Sequence, residues 1–245
     1  MLLEVATFSI EAALIAAKAG ADRIELCSSP SEGGITPGPG MIYTSRDKVR
    51  IPISLMVRPR GGDFLYSDAE FDTMLLDIEI ARKAGMDGIV TGILNSEGSI
   101  DIERMKSIMI AAAGMEVTFH RAFDMSANLP ESLGILIELG INRVLTSGGS
   151  RNVTEGKEML ESLARQSAGR ISVMPGGGVN LVNLESMHIS GLFQEFHLSA
   201  RQIVPGKMRF IKNNLSMSNN DENAEYNLIL PDPSIILAAK RILIK

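Results

Sequence analysis

Five ionisable residues, Glu4, Glu25, Arg58, His120 and His197, each stand in or at the end of a short β-branched or aliphatic run. Carboxylates and imidazoles move protons, and a guanidinium orients an anion. A set of this composition suits acid–base work on a small charged molecule. Strand geometry predicts that the five converge, because alternate side chains of a strand face opposite sides. Ile53, Leu55 and Val57 form one apolar set, which turns Ser54, Met56 and Arg58 the other way. The same alternation turns Glu4 and Ala6, Glu25 and Cys27, Thr118 and His120, Ser172 and Met174, and His197 and Ser199 away from their apolar neighbours. Charges in a closed interior are costly unless paired. A functional site explains five of them most simply. A structural network in which Arg58 neutralises Glu4 and Glu25 is the alternative, and it can coexist with a site.

The segments after these runs are unusual. Thr146-Ser147-Gly148-Gly149-Ser150 and Pro175-Gly176-Gly177-Gly178 bring backbone N–H groups where a ligand can approach closely, each ahead of a helix-like segment. These residues, with Arg201 nearby, form the candidate grip for an anion. His120-Arg121-Ala122-Phe123-Asp124 places a cation and a carboxylate near the imidazole. The turn-rich stretch from Cys27 to Pro37 reads as a lid. Cys27 is the single cysteine, so no intrachain disulfide forms. It reads first as a small buried hydrophobe and second as a soft-metal ligand.

An internal repeat supplies the elements that position these residues. Gly20-Ala21-Asp22-Arg23-Ile24 is echoed by Gly85-Met86-Asp87-Gly88-Ile89 and Gly140-Ile141-Asn142-Arg143-Val144, with a fainter copy from Gly191. Each copy follows a helix-like segment whose end suits glycine, and each leads into a strand-like run. Further strands are expected at 2–6, 53–58, 116–120 and 171–174. Helices are expected over 9–19, 68–84, 101–112, 129–139, 153–166 and 181–189, with a shorter one over 41–48. Strict alternation repeated eight times predicts a parallel sheet, closed as a (β/α)8 barrel. An open doubly wound sheet is the competing architecture. We expect one barrel domain over residues 1–245, with 211–230 an irregular excursion and 233–243 a closing helix. Active sites of such barrels sit at the C-terminal strand ends, where the five residues fall.

Composition narrows the function further. A net charge of −5 without a basic run argues against nucleic-acid binding. No apolar stretch reaches the roughly 20 residues of a membrane span. A cytoplasmic location is the simplest expectation. No lysine takes an inward strand-end position, which argues against Schiff-base chemistry.

Several stretches carry a family resemblance: ADRIELCSSPSEGGITP, IPISLMVRPRGGDFLYSDAEF, EVTFHRAFD, RVLTSGG, RISVMPGGGV and EFHLSAR. The chain resembles the CutC family of copper homeostasis proteins from the first strand to about Phe210. The resemblance implies a barrel, a homodimer, a cytoplasmic location and a role in copper binding. Eukaryotic members carry a cysteine where this chain has Ala6, so a Cu(I) site here would use Cys27 with His, Met or a second subunit. The residues themselves favour an isomerase, lyase or aldolase-like enzyme acting on a phosphorylated or carboxylated metabolite. A barrel that binds a metabolite without turning it over is a third reading.

Overall fold

Strands and helices alternate along the chain in a computed structural model that describes residues 1–212 and 224–244. The order is β1 (Leu2–Thr7), α1 (Ile10–Lys18), β2 (Arg23–Leu26), α2 (Pro39–Lys48), β3 (Ile53–Met56), α3 (Asp68–Ala84), β4 (Gly88–Thr91) and α4 (Ile102–Ala111). It continues with β5 (Glu116–Phe119), α5 (Leu129–Glu138), β6 (Arg143–Thr146), α6 (Lys157–Ser167), β7 (Ser172–Pro175), α7 (Leu181–Ser190) and β8 (Glu195–Leu198). Parallel ladders join the eight strands in the order β8-β1-β2-β3-β4-β5-β6-β7. β7 and β8 lie side by side without a ladder among the described residues, so the sheet is a nearly closed barrel. A doubly wound sheet reverses its strand order at a switch point. This order does not reverse.

The helix-facing set is apolar, as the alternation predicts. Leu3, Val5, Ile24, Leu26, Ile53, Leu55, Ile89, Val117, Phe119, Val144, Val173 and Phe196 are all buried in one core with the inner faces of the helices. The repeat has a physical basis on both sides of its glycine. Gly85 takes the left-handed conformation (φ +74°) that ends α3, which favours a residue without Cβ. Two residues later, an Asp or Asn side chain accepts the N–H that opens the preceding strand. Asp22 takes that of Leu3 (2.7 Å), Asp87 that of Ile53 (2.8 Å) and Asn142 that of Val117 (2.8 Å). One short turn therefore ends a helix and ties two strands.

Two expectations need adjustment. Helix α6 starts at Lys157 rather than at 153, because Asn152 draws the N–H groups of Thr154 and Glu155 into a turn. The chain beyond β8 does not go straight to its closing helix. It forms β9 (Arg201–Pro205), paired antiparallel with β10 (Asn227–Pro231), and α8 (Pro233–Ile244) follows. Of the irregular stretch expected over 211–230, residues 213–223 lie outside the described residues. Helix α8 packs against α7, α1 and β1 and completes the outer layer.

Candidate active site at the barrel mouth

The floor of the site is a chain of charges, buried except at its Glu116 end. Arg143 of β6 donates to Glu195 (2.9 Å) and to Glu116 (2.7 Å). Arg23 of β2 donates to Glu195 and to Glu4, each at 2.5 Å. Glu4 is fully buried, and burial alone would raise its pKa. The hydrogen bond from His197 and the charges of Arg23 and His197 outweigh burial and bring it down to about 2. Glu4 is therefore ionised and accepts Nδ1–H of His197 at 2.8 Å. Arg23, and not Arg58, neutralises this carboxylate.

Above that floor sit Glu25 and His197. The Nε2 of His197 is 3.9 Å from Glu25 Oε2. Burial, reinforced by the charge of Glu4, holds the Glu25 pKa above the ordinary value. Burial opposes charge on His197 as well, but Glu25 and Glu4 overcome it and raise that pKa. Both shifts favour a proton shared by the pair. Glu25 Oε2 also lies 3.4 Å from the Cys27 thiol, while its Oε1 is buried with no hydrogen-bond partner among the described residues.

His120 has a different environment. Its Nδ1 accepts the backbone N–H of Ala122 at 3.2 Å, which assigns the proton to Nε2. Nε2 is buried and has no hydrogen-bond partner among the described residues. The ring lies against Phe64 (centroids 5.0 Å apart) and Phe119. A Cβ at residue 92 would come within 2.6 Å of Nδ1, so Gly92 is what lets the chain leaving β4 pass beside the ring. Burial and then the charge of Arg58 depress the pKa of His120 from 6.5 to about 3. Asp124 does not orient this histidine.

That depression has a measurable sign. The unfolded chain gains a proton on this histidine below about pH 6.5, whereas the folded chain stays neutral until about pH 3. Acid therefore destabilises the fold through this group. Between pH 6 and pH 4 the loss approaches about 1.4 kcal/mol per pH unit. Urea denaturation across that range should show a shallower pH slope for His120→Gln than for the unmodified protein. Equal slopes would mean that His120 titrates normally.

Arg58 is committed to the loops. Its Nη1 donates to the carbonyls of Glu32 (2.6 Å) and Gly34 (3.0 Å), and its Nη2 to that of Gly62 (2.9 Å). The segment from Cys27 to Pro37 is thereby pinned to the loop after β3. The two glycine loops differ from each other. At Thr146–Gly149 the chain supplies its own anion. Asp124 accepts the Thr146 hydroxyl (2.5 Å) and the N–H groups of Ser147 and Gly149 (both 3.0 Å). Arg121 bridges Asp124 and Ser147, with Nε and Nη2 each at 2.8 Å. Gly176 N–H is held by Thr146 O, whereas no hydrogen bond among the described residues takes up the N–H of Gly177 or Gly178. Asn180 caps the following helix itself. Arg201, on β9, stacks over Phe8 with its guanidinium carbon 4.7 Å from the ring centroid. Its guanidinium has no hydrogen-bond or ion-pair partner among the described residues.

Glu25, Arg58, His120, His197, Arg201, Gly177 and Gly178 line one cavity of about 460 Å3, within the range that holds a small metabolite. Glu4 stands just beneath it. Thr146, Ser147, Gly148, Gly149 and Gly176 lie outside its lining, and Cys27 is fully buried beside Met56 and Val90. The sequence reading passed over Arg23, Arg143 and Glu195, which hold the floor. Extending the strand alternation toward the strand starts identifies all three. Arg121 and Phe64, which complete the wall, come from loops where no period applies.

The sequence model of the CutC family matches residues 1–202. The chain belongs to this family. A CutC family protein of Proteus mirabilis is 45% identical over 241 residues, covering 98% of this chain and 96% of the relative. One from Erwinia tasmaniensis is 42% identical, covering 98% and 95%. A crystal structure from Streptococcus agalactiae that carries the copper homeostasis name CutC is 32% identical with a TM-score of 0.76, covering 80% of this chain and 97% of that one. A thiamine phosphate pyrophosphorylase from Pyrococcus furiosus shares the fold alone, at 14% identity and a TM-score of 0.60, covering 99% and 95%. The copper name invites a test against the CutC donor set. Cu(I) prefers thiolate and thioether ligands. Here burial, and then Glu25, push the Cys27 thiol well above its ordinary range, so it is protonated and out of solvent. Glu4, Glu25 and His197 offer oxygen and nitrogen atoms within 4.8 Å of one another, a set better suited to a divalent ion. No helix among the described residues is long and apolar enough to cross a membrane.

Proposed function

We propose that the barrel mouth binds a small anionic metabolite and moves a proton on it. Glu25 is the base, His197 is its proton-holding partner, and Glu4 fixes the His197 ring. Arg201 and the N–H groups of Gly177 and Gly178 take the anionic group. One observation carries this reading: two residues that line one cavity, Glu25 and His120, each carry a buried polar atom, Oε1 and Nε2, with no partner among the described residues. Orphaned buried polar groups cost about 1–3 kcal/mol each, and a ligand that satisfies them recovers that cost. Inorganic phosphate should raise the melting temperature, and Arg201→Ala should weaken its binding about tenfold, measured by calorimetry. No shift in the unmodified protein would sink the proposal.

A second reading follows from the copper name and from the clustering of Glu4, Glu25 and His197. These residues would hold a divalent ion rather than Cu(I), and the ion would polarise a bound ligand. Under that reading Glu25→Gln abolishes Cu(II) or Zn(II) binding in a chelator competition, whereas Cys27→Ser leaves it intact. If Cys27→Ser alone removes Cu(I) binding, the thiol is the copper ligand instead.

A further inference from the structure

The two orphaned atoms differ in polarity, and that difference says more about the ligand than its charge. His120 Nδ1 is occupied as an acceptor, so Nε2 carries the hydrogen and can only donate. Glu25 Oε1 can only accept, or take up a proton. The occupant must therefore offer a lone-pair oxygen to one side and a removable hydrogen to the other, with an anionic end toward Arg201. A carbonyl compound with a hydrogen on the adjacent carbon has both features. The His120 ring is held in place by its neighbours. Phe64 and Phe119 clamp it, the Ala122 N–H sets its tautomer, and Gly92 leaves it room.

We propose that His120 is the electrophile of the site, donating Nε2–H to the carbonyl oxygen of a phosphorylated hydroxy-aldehyde or hydroxy-ketone while Glu25 removes the adjacent carbon-bound proton. This rests on the reading of the mouth as an anion site with Glu25 as base. Glu25 Oε1 takes the proton, the C–H electron pair becomes the new C=C bond, and the carbonyl π pair moves onto oxygen. The developing oxyanion keeps the hydrogen bond from His120, whose ring stays neutral throughout because burial and Arg58 disfavour its cation. Returning the proton from Glu25 to the neighbouring carbon, with the hydroxyl proton passing to the enolate oxygen, completes an isomerisation. The electrons balance without an oxidant or reductant. A preorganised neutral imidazole and a carboxylate with separated pKa values is an arrangement that enolising enzymes use.

The test uses two probes with the same phosphate. Phosphoglycolohydroxamate presents planar, enediolate-like oxygens, and glycerol 3-phosphate does not. The unmodified protein should bind the first about 100-fold more tightly, in line with the worth of one oxyanion donor. His120→Ala should bring the ratio near one without changing the affinity for glycerol 3-phosphate. His120→Gln, which retains an N–H donor, should keep part of the preference. Nitrogen-15 NMR of the unmodified protein should show a neutral ring protonated at Nε2 from pH 5 to pH 8. Equal binding of both probes, an unchanged ratio in His120→Ala, or a ring that is charged or protonated at Nδ1 at pH 7 would overturn the assignment and leave the anion reading standing. If neither probe binds, both fall.

Discussion

Asp124→Ala should lower the melting temperature by about 10 °C, and the deficit should shrink as sulfate is added. The carboxylate accepts the Thr146 hydroxyl, two backbone N–H groups and Arg121 Nε. Its side chain is only 7% exposed, so water replaces it imperfectly. A hydrogen bond to a charged acceptor contributes about 1.5–3 kcal/mol, and leaving several donors unmet costs roughly 3 kcal/mol in all. For a protein of this size each kcal/mol is worth about 2–4 °C. The truncation leaves a nest of N–H groups shaped for an oxyanion. A tetrahedral dianion that binds only the folded variant restores stability by mass action. The gap between variant and parent therefore narrows with sulfate in thermal scans. A gap indifferent to sulfate would show that Asp124 does not hold an anion cradle.

Arg23→Met should destabilise the protein by about 3–5 kcal/mol in urea titrations at neutral pH, the range seen when one partner of a buried ion pair is removed. Arg23 is the shared cation of Glu4, which is fully buried, and Glu195. Without it, Glu4 keeps only His197 and Glu195 keeps only Arg143, in a region that water scarcely reaches. The Glu4 pKa, now about 2, should rise. Sign follows from linkage. A carboxylate depressed in the folded state stabilises the fold above its unfolded value of 4.5 and loses that contribution as pH falls toward 2. The variant should therefore lack part of the acid-range slope of the parent. Adding Glu4→Gln and Glu195→Gln should recover much of the loss, since fully apolar or neutral replacements of buried ionic groups are often tolerated. A triple variant no more stable than the single one would place the cost in packing instead.

The barrel was legible because its signals repeat. Glycine at the ends of α1, α3 and α5, an Asp or Asn two residues on, and an apolar alternation recur often enough to outweigh any one ambiguous segment. The strand-end residues were legible for the same reason: parity alone brings Glu25, His120 and His197 to one face. Which partner each one meets was not legible. Parity cannot distinguish Arg23 from Arg58 as the cation beside Glu4, since both point inward. That depends on depth along the barrel axis, and depth depends on strand stagger. Nor could spacing reveal that Asp124 already fills the first glycine loop. The hydrogen bonds span more than 20 residues and depend on how the turn after β5 folds. The β9–β10 pairing was not legible because it lies outside the barrel repeat, and with Ile203, Leu228 and Ile229 exposed no buried face sets a period.

The seam between β7 and β8 has a consequence for how this molecule breathes. Seven of the eight strand boundaries are zipped by backbone ladders, and the eighth is not. What spans it instead is side-chain chemistry: Arg143 reaches from β6 to Glu195 on β8, and Arg23 lies 3.6 Å from Met174 Sδ on β7. Amides facing that gap have no ladder partner to protect them, so solvent deuterium should enter the wall there first, through openings well short of global unfolding. The same gap runs up to Gly177, Gly178 and His197. The cheapest distortion of the cylinder is thus one that widens the route by which a molecule enters or leaves its mouth.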